Sequence, residues 1–147
     1  MPVSSGGFTI IEIISVLIII GILSAVAVSR MPSTDVYDVV MESEILKTHL
    51  RYSQIRAMTD NQSWGIRISN GNAYTLQKSG SVAPVNLPNE NSATHVFANK
   101  ISAIPGTVTI TFDDLGSPGD SDIVITLRHQ GANPRTLTIT RKTGFIH

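Results

Sequence analysis

The chain has 147 residues, no cysteine, and 11 basic side chains balanced by 11 acidic ones. A net charge of zero excludes a partner selected by overall charge, and the lack of cysteine excludes disulfide bonds, so a folded domain must depend on its own apolar core. The histidines lie far apart and show no metal-ligand spacing: His49, His95, His129 and His147. Because we find no nucleophile–base pair and no phosphate-binding loop, we expect neither enzymatic activity nor a cofactor.

The first element in chain order is a long apolar segment. Residues 8–28 contain a single ionisable side chain, that of Glu12. At about 1.5 Å of rise per residue, a helix over this segment is roughly 30 Å long, which is the thickness of a bilayer core. Two alternatives remain for this segment. One is a secretory signal peptide: residues Ser24–Ala27 resemble its cleavage site, but the apolar run is too long. The other is a plain membrane anchor.

Glu12 is energetically unfavourable in such a helix if the helix lies in a membrane. A carboxylate inside the membrane costs about 1–3 kcal/mol or more, depending on its depth, so it needs a cationic partner or a proton. No basic side chain precedes Arg30, and the one local cation available is a main-chain amine released by a cut. Gly6 and Gly7 are flexible and suit a protease cleft. A cut after Gly7 makes Phe8 the new amino terminus, which can pair with Glu12 of the same or a neighbouring copy.

The stretch GFTIIE at residues 7–12, followed by an unbroken apolar helix, resembles the class III signal of type IV prepilins and type II secretion pseudopilins. In that family a membrane aspartyl peptidase cuts after the glycine and methylates the new terminal phenylalanine. The family's glutamate then neutralises a neighbour's amine during filament assembly. The resemblance implies cleavage between Gly7 and Phe8, methylation of Phe8, and an assembly role for Glu12. The leader over residues 1–7 lacks the family's usual basic residue, so the resemblance, and not charge, implies the orientation.

A second helix follows the apolar segment. Pro32 interrupts or kinks the first helix, and Ser33 and Thr34 can cap a second one over about 33–60. Its apolar residues recur on one line: Val39, Leu46, Leu50 and Ala57. We expect its charged residues on the other faces: Glu42, Glu44, Lys47, Arg51 and Arg56. This pattern is typical of a helix lying on a sheet.

The remaining residues predict short strands. Segments 63–68 and 73–77 flank Asn70-Gly71, a strong hairpin signal, and the Ser-, Pro- and Asn-rich residues 78–94 predict a loop. Further strands are predicted at 95–98, 107–112, 123–127 and 135–140, with a turn at 141–144. We therefore expect an α+β fold. A long amino-terminal helix, transmembrane over 8–30 and amphipathic over 33–60, packs on a carboxy-terminal antiparallel sheet within residues 63–147.

Three later stretches resemble the pseudopilin H and FimT group, which includes minor pilins of the mannose-sensitive hemagglutinin pilus. They are LRYSQIRAMTDNQ at 50–62, ITFDDLGSPG at 110–119 and LTITRKTGFI at 137–146. The resemblance implies a minor pilin of a type IV pilus or a pseudopilin of type II secretion, and leaves these two open. It further implies three partners: other pilins or pseudopilins, prepilin peptidase, and an assembly platform. The implied location is the inner membrane of a Gram-negative bacterium, with residues 31–147 in the periplasm, and then the filament.

Four aspartates crowd one predicted loop together with Gly116, Pro118 and Gly119: Asp113, Asp114, Asp120 and Asp122. Calcium prefers several oxygen ligands, so this loop is a candidate calcium site. The spacing matches no EF-hand loop, and Asp and Gly also stabilise turns through the backbone. We favour the turn interpretation.

Residues 123–147 contain four basic side chains and no acidic one: Arg128, Arg135, Arg141 and Lys142. Neighbouring strands could collect them into one cationic patch, and phosphates favour clustered Arg and Lys. Some FimT-like minor pilins take up DNA, so the resemblance permits DNA binding. The alternative is a solvated face or a contact with an acidic neighbour. We expect Trp64 and Tyr74, on one predicted hairpin, to serve packing and not base stacking.

Overall fold

The structure is a computed structural model that describes residues 7–30, 34–98 and 100–147, with the side chains of residues 34–36 excepted. The chain divides into two compact units, residues 1–33 and residues 34–147, and each is described by itself. The predicted leader, apart from Gly7, lies outside the described residues. So do Pro32 and Ser33, and with them the predicted break between the two helices.

The first unit contains one helix, α1 (Ile10–Ser29). Every described residue of this unit is exposed, although the helix is apolar on all sides. A helix of this kind is stable only where lipid or other helices cover it. Among the described residues, α1 is the one helix long and apolar enough to cross a membrane.

The second unit begins with α2 (Thr34–Asp60). The predicted apolar line of this helix is confirmed, because all four of its residues are buried: Val39, Leu46, Leu50 and Ala57. The prediction that Glu42 lies on an outer face is wrong, since its side chain is buried. Glu42 lies three residues after Val39 and four before Leu46, so helical spacing turns it towards the same buried face.

The strands that follow form two antiparallel sheets. They are β1 (Trp64–Ser69), β2 (Ala73–Lys78), β3 (Ser81–Val82), β4 (Thr94–Val96), β5 (Ile101–Ile104), β6 (Val108–Phe112), β7 (Ile123–His129) and β8 (Ala132–Ile139). The first sheet has the order β3-β2-β1-β6, with β4 also paired to β2, and the second has the order β5-β7-β8. The α+β class with an antiparallel sheet is confirmed. The single predicted sheet is two sheets, and the predicted loop 78–94 contains β3.

The turn between β1 and β2 connects the two sheets. Asn70 and Gly71 connect β1 to β2 with φ of 53° and 70°, the two positive values that a tight hairpin turn requires, so the hairpin prediction is confirmed. The amide of Gly71 donates to the carbonyl of Gly106 at 2.6 Å, and the amide of Ala103 donates to the carbonyl of Gly71 at 2.8 Å. The turn of the first sheet is thereby hydrogen-bonded to β5 of the second.

The core lies between α2 and the inner faces of the two sheets. It includes Leu46 and Leu50 from the helix and Ile66, Ile110 and Leu127 from the strands, all fully buried. Burying each such side chain contributes about 1.5–3 kcal/mol. Trp64 and Tyr74 are also buried, at 1% and 0% exposure, so they pack in the core and offer no base-stacking surface.

Candidate functional site

The amino-terminal helix begins at a well-formed cap. Thr9 has an extended backbone, and its side-chain oxygen accepts a hydrogen bond from the Glu12 amide at 3.3 Å. Its carbonyl accepts from the amides of Glu12 and Ile13 at 3.1 and 3.2 Å. Threonine is a favoured residue at this position because its hydroxyl satisfies an amide that has no partner within the helix. Gly7 and Phe8 therefore lie outside the helix, and both are exposed.

Glu12 lies in the first turn of α1, where the helix dipole favours a negative charge. With Phe8, Ile13, Val16 and Leu17 it lines a shallow apolar depression on the helix surface. The nearest basic residue in the sequence, Arg30, follows the other end of a helix that is about 30 Å long. Within the described part of this unit, Glu12 has no cationic side chain to pair with, so in an apolar medium its carboxylate needs a partner from another source or a proton.

Two of the hydroxyl groups along α1 are satisfied within the helix. Ser15 donates to the carbonyl of Ile11 at 2.7 Å, and Ser29 donates to the carbonyl of Val26 at 2.8 Å. Such hydroxyls need no external partner in an apolar medium. Glu12 is the one ionisable side chain within α1.

The structure separates the four predicted patch residues into two pairs. Arg128 lies near the end of β7, and Arg135 on β8 pairs with Leu127 beside it. Arg141 and Lys142 follow β8 at the opposite end of the sheet, where Ile139 pairs with Ile123. The prediction of one patch is wrong because the β7–β8 hairpin brings together only the residues near its connecting turn.

Arg128 lines a pocket that sequence reasoning missed. Its lining residues are Lys100, Ser102, Arg128, His129 and Gln130, and its volume is about 430 Å³. Ser102 on β5 pairs with Arg128 on β7, which explains how Lys100, distant in sequence, reaches this position. The pocket has two basic side chains, Lys100 and Arg128, and no acidic one.

The loop over residues 113–122, which we call the aspartate loop, uses two of its carboxylates to hold main-chain turns. One carboxylate oxygen of Asp113 accepts from the amides of Leu115 and Ser117 at 3.0 and 2.7 Å, and Asp122 accepts from the amide of Arg141 at 2.8 Å. Asp114 and Asp120 are exposed. No group of three or more acidic or histidine side chains in the described part of the chain is arranged to hold a metal ion.

A buried polar cluster joins α2, β2, β4 and the loop before β4. The Nε2 atom of His95 lies 3.0 Å from a carboxylate oxygen of Glu42, and its Nδ1 atom lies 2.5 Å from a carboxylate oxygen of Glu90. The other oxygen of Glu42 accepts from the Ala98 amide at 3.0 Å. Glu42 is buried because it binds partners on two other segments, which explains the wrong sequence prediction.

His49 completes the cluster. Its Nε2 atom lies 3.0 Å from the carbonyl of Pro88 and its Nδ1 atom 2.8 Å from the hydroxyl of Tyr74. Burial lowers the pKa of His49, so its ring is neutral at pH 7, donating from Nε2 and accepting at Nδ1. Burial also raises the pKa of Tyr74, whose hydroxyl keeps its proton and donates to His49. The cluster holds the 85–95 segment against α2.

Comparisons with known proteins give a match in fold. No protein-family model and no curated protein sequence matches the chain. Among solved structures, the chain is similar to the type IV minor pilin FimU of Pseudomonas aeruginosa, with a TM-score of 0.59 and 20% identity over 79% of this chain and 91% of that one. A second crystal form of FimU gives a TM-score of 0.48 and 16% identity over 72% and 90% of the two chains.

The chain therefore has a pilin-like fold: an apolar amino-terminal helix, then a second helix with antiparallel sheets. At 20% identity the likeness establishes the fold alone. What the apolar helix and its glutamate do is argued from their own chemistry.

Proposed function

We propose that the chain is a minor pilin or pseudopilin that is anchored in a membrane by α1 and assembled through α1 into a filament. The single observation that carries this proposal is α1 itself, an exposed, uniformly apolar helix with Glu12 in its first turn. The pilin-like fold of the chain agrees with this role. Packing among the α1 helices of neighbouring subunits supplies most of the filament's cohesion, because each helix brings a fully uncovered apolar surface.

Processing prepares this helix for assembly. Prepilin peptidase cuts between Gly7 and Phe8 and methylates Phe8. Both residues precede the helix cap and are exposed, so a non-helical segment is available to a protease. A Cβ atom built on Gly7 meets nothing within 4 Å, so the glycine is not required by packing within the described residues. Glycine is therefore required at this position by recognition in the peptidase, and not by packing.

Glu12 sets the register of the assembled helices. In an apolar medium an unpaired carboxylate costs several kcal/mol, and an ammonium partner removes most of that cost. The amine of a processed Phe8 on a neighbouring subunit is such a partner. A subunit whose helix is displaced along the bundle leaves both charges unpaired, so the pair selects one axial position.

The proposed cellular setting follows from this chemistry. The mature helix waits in the inner membrane of a Gram-negative bacterium, with residues 31–147 in the periplasm. An assembly platform then transfers the subunit into a type IV pilus or a type II secretion pseudopilus, beside other pilins or pseudopilins. The amino acids of α1 serve either filament equally well.

The test compares two isosteric substitutions, Glu12→Gln and Glu44→Gln. Glu44 is an exposed glutamate on α2 and serves as the matched control. We expect both variants to be processed and to accumulate in the membrane. Glu12→Gln then enters sheared filaments at less than about a tenth of the wild-type level, since losing the charge pair costs upwards of about 1.4 kcal/mol. Equal incorporation of the two variants contradicts the register role.

A second candidate function is DNA binding, which the cationic residues Lys100, Arg128 and Arg135 favour. Arg141 and Lys142 lie at the far end of the sheet, so they do not extend this surface. Salt-sensitive retention of duplex DNA by the full chain in detergent, lost in Arg128→Glu and kept in Arg141→Glu, supports this candidate. Retention that is equal in both variants contradicts it.

A further inference from the structure

The pocket beside β5 and the end of β7 concentrates positive charge. Lys100 and Arg128 line it, and its volume of about 430 Å³ lies within the range of ligand pockets, roughly 300–1,000 Å³. Residues 91–112 and 123–147, which supply β4 to β8, contain no acidic side chain. None of the ion pairs among the described residues involves Lys100 or Arg128. The pocket is therefore open to an anion from another molecule.

Lys100 occupies a backbone position that does not favour lysine. Its φ is 68°, in the left-handed region, and the amide of Ile101 donates to the carbonyl of Ala98 at 3.1 Å, which closes a tight turn. Glycine adopts this conformation freely, whereas a residue with a Cβ atom is strained in it. Strained positions of this kind cluster at binding sites. The side chain of Lys100 is exposed and pairs with no described carboxylate, so the fold itself gives its charge no role.

The pocket offers the donors that a carboxylate needs. Ser102 on β5 pairs with Arg128 on β7, so the serine hydroxyl and the guanidinium group belong to a cross-strand pair. The side-chain amide of Gln130 also lines the pocket. An arginine fork binds a carboxylate through two parallel hydrogen bonds, and lysine, serine and glutamine supply further donors. The pocket therefore suits a carboxylate in both charge and hydrogen bonding.

Nucleic acid fits this end of the sheet less well. A duplex requires a long track of cations along its phosphates. Arg135 adds one further cation near the pocket, but Arg141 and Lys142 lie at the opposite end of the β7–β8 hairpin. The aspartate loop, with its four carboxylates, leads into β7 at that same end, at Ile123. The observations therefore favour a protein carboxylate over nucleic acid.

We propose that the Lys100–Arg128 pocket receives an aspartate or glutamate side chain of a different subunit in the filament. The inference rests on the proposed function, because that function places the domain beside other pilins or pseudopilins. A contact between unlike subunits needs one pocket and one carboxylate, so it suits a minor subunit, whose neighbours are other proteins. The charge pair fixes the orientation and register of the domain more than its affinity, and the α1 helices supply the cohesion.

A carbodiimide tests the contact, because it joins an amine directly to a carboxylate that touches it. Treatment of sheared filaments that contain the full chain should link the Nζ atom of Lys100 to an acidic side chain of a different subunit, which mass spectrometry of the joined peptides identifies. Lys100→Arg keeps the charge but has no reactive amine, so it should enter filaments normally and give no product.

Charge variants show whether the pocket makes the contact. We expect Arg128→Glu to reduce the product, relative to the amount of the chain in filaments, about fivefold or more. The matched control is Arg67→Glu, at an exposed arginine on β1 that does not line the pocket, and it should leave the product unchanged. Equal yields from the two variants contradict the proposal.

Lys100→Gly separates the contact from folding. Glycine relieves the strained φ, so the variant should melt at or above the wild-type temperature, yet enter filaments at about a third or less of the wild-type level. A lower melting temperature, or normal entry into filaments, contradicts the role assigned to Lys100.

The origin of the carbodiimide product separates the proposal from its rivals. A wild-type chain that enters filaments without giving the product contradicts the proposal. So does a product that joins Lys100 to its own chain or to a second copy, and so does one that forms only when duplex DNA is present. A wild-type chain that is absent from filaments contradicts the proposed function itself.

Discussion

The Nε2 atom of His95 lies 3.0 Å from the Oε2 atom of Glu42, and this contact joins β4 to α2 in the interior of the domain. Glu90 approaches the other ring nitrogen at 2.5 Å. The two carboxyl groups thereby contact both ring nitrogens of His95. The arrangement links three polar side chains from α2, β4 and the loop before β4, and its loss has a measurable cost.

We predict that Glu42→Gln destabilises the domain by roughly 2–4 kcal/mol, because removing one member of a buried charge network leaves the others uncompensated. Glu44→Gln changes an exposed glutamate on the same helix and serves as the control, with an expected change below about 0.5 kcal/mol. Urea unfolding of the full chain in detergent, followed by fluorescence of its one tryptophan, Trp64, measures both. Equal midpoints for the two variants contradict the assignment.

Acid weakens the domain through His49. Burial lowers the pKa of His49 in the folded protein, whereas the unfolded chain takes up a proton near pH 6.5. Between pH 6.5 and the lowered value the unfolded state binds more protons, so stability falls as the pH falls, by at most about 1.4 kcal/mol per pH unit.

His49→Gln removes this dependence and keeps hydrogen bonds to Pro88 and Tyr74 within reach. The groups that face His49 are His95, Tyr74, Glu90 and Glu42, and all remain in the variant. Unfolding midpoints measured from pH 7.5 to 5.5 should fall more steeply for the wild type than for His49→Gln. Parallel pH profiles contradict the neutral assignment of the ring.

Gly144 is required by the close approach of two loops and α2. Its φ is +62°, and a Cβ atom built on it lies 2.2 Å from the carbonyl oxygen of Gly116 and 2.3 Å from Nε2 of Gln54. That same Gln54 amide donates to the carbonyls of both glycines, at 2.8 and 3.2 Å. A methyl group at Gly144 would force apart Gln54 and the two glycine carbonyls, whose hydrogen bonds hold the carboxy-terminal turn on α2.

The matched comparison is Gly80→Ala, since Gly80 has a φ of +79° but nothing within 4 Å of its Cβ position. Both substitutions carry the backbone strain of about 1–2 kcal/mol, and Gly144→Ala adds about 1–3 kcal/mol from the clash. Thermal unfolding of the two variants measures the difference. Identical melting temperatures show that the loops move apart freely and refute the packing role.

Sequence patterns predicted the fold where a local rule decides the structure. The spacing of Val39, Leu46, Leu50 and Ala57 placed the buried face of α2, and Asn70-Gly71 placed the first hairpin. β5 was missed because its four residues, ISAI, directly precede Pro105-Gly106, which indicates a turn. Such short strands are fixed by their partners, here β7, and not by their own sequence.

The polar contacts between distant segments could not be predicted. The helical spacing of Glu42 predicts burial, whereas its charge predicts an exposed position. Neither property indicates that His95 and Glu90 are its neighbours. The pocket at Lys100 and Arg128 depends on strand register, which the sequence did not reveal. The GFTIIE stretch could be interpreted from the sequence, because its functional residues are consecutive and do not depend on tertiary contacts.

The most direct test of the account is intact-mass and amino-terminal mass spectrometry of the chain in sheared filaments. The account predicts a chain that begins at Phe8 with a methylated amine. Gly7→Val should block this cut, although Gly7 has open space around it, and Gly21→Ala, at another open glycine within α1, should be processed normally. A mature chain that begins at Met1 or Pro2 and stays in the membrane contradicts the account and leaves a plain anchored domain.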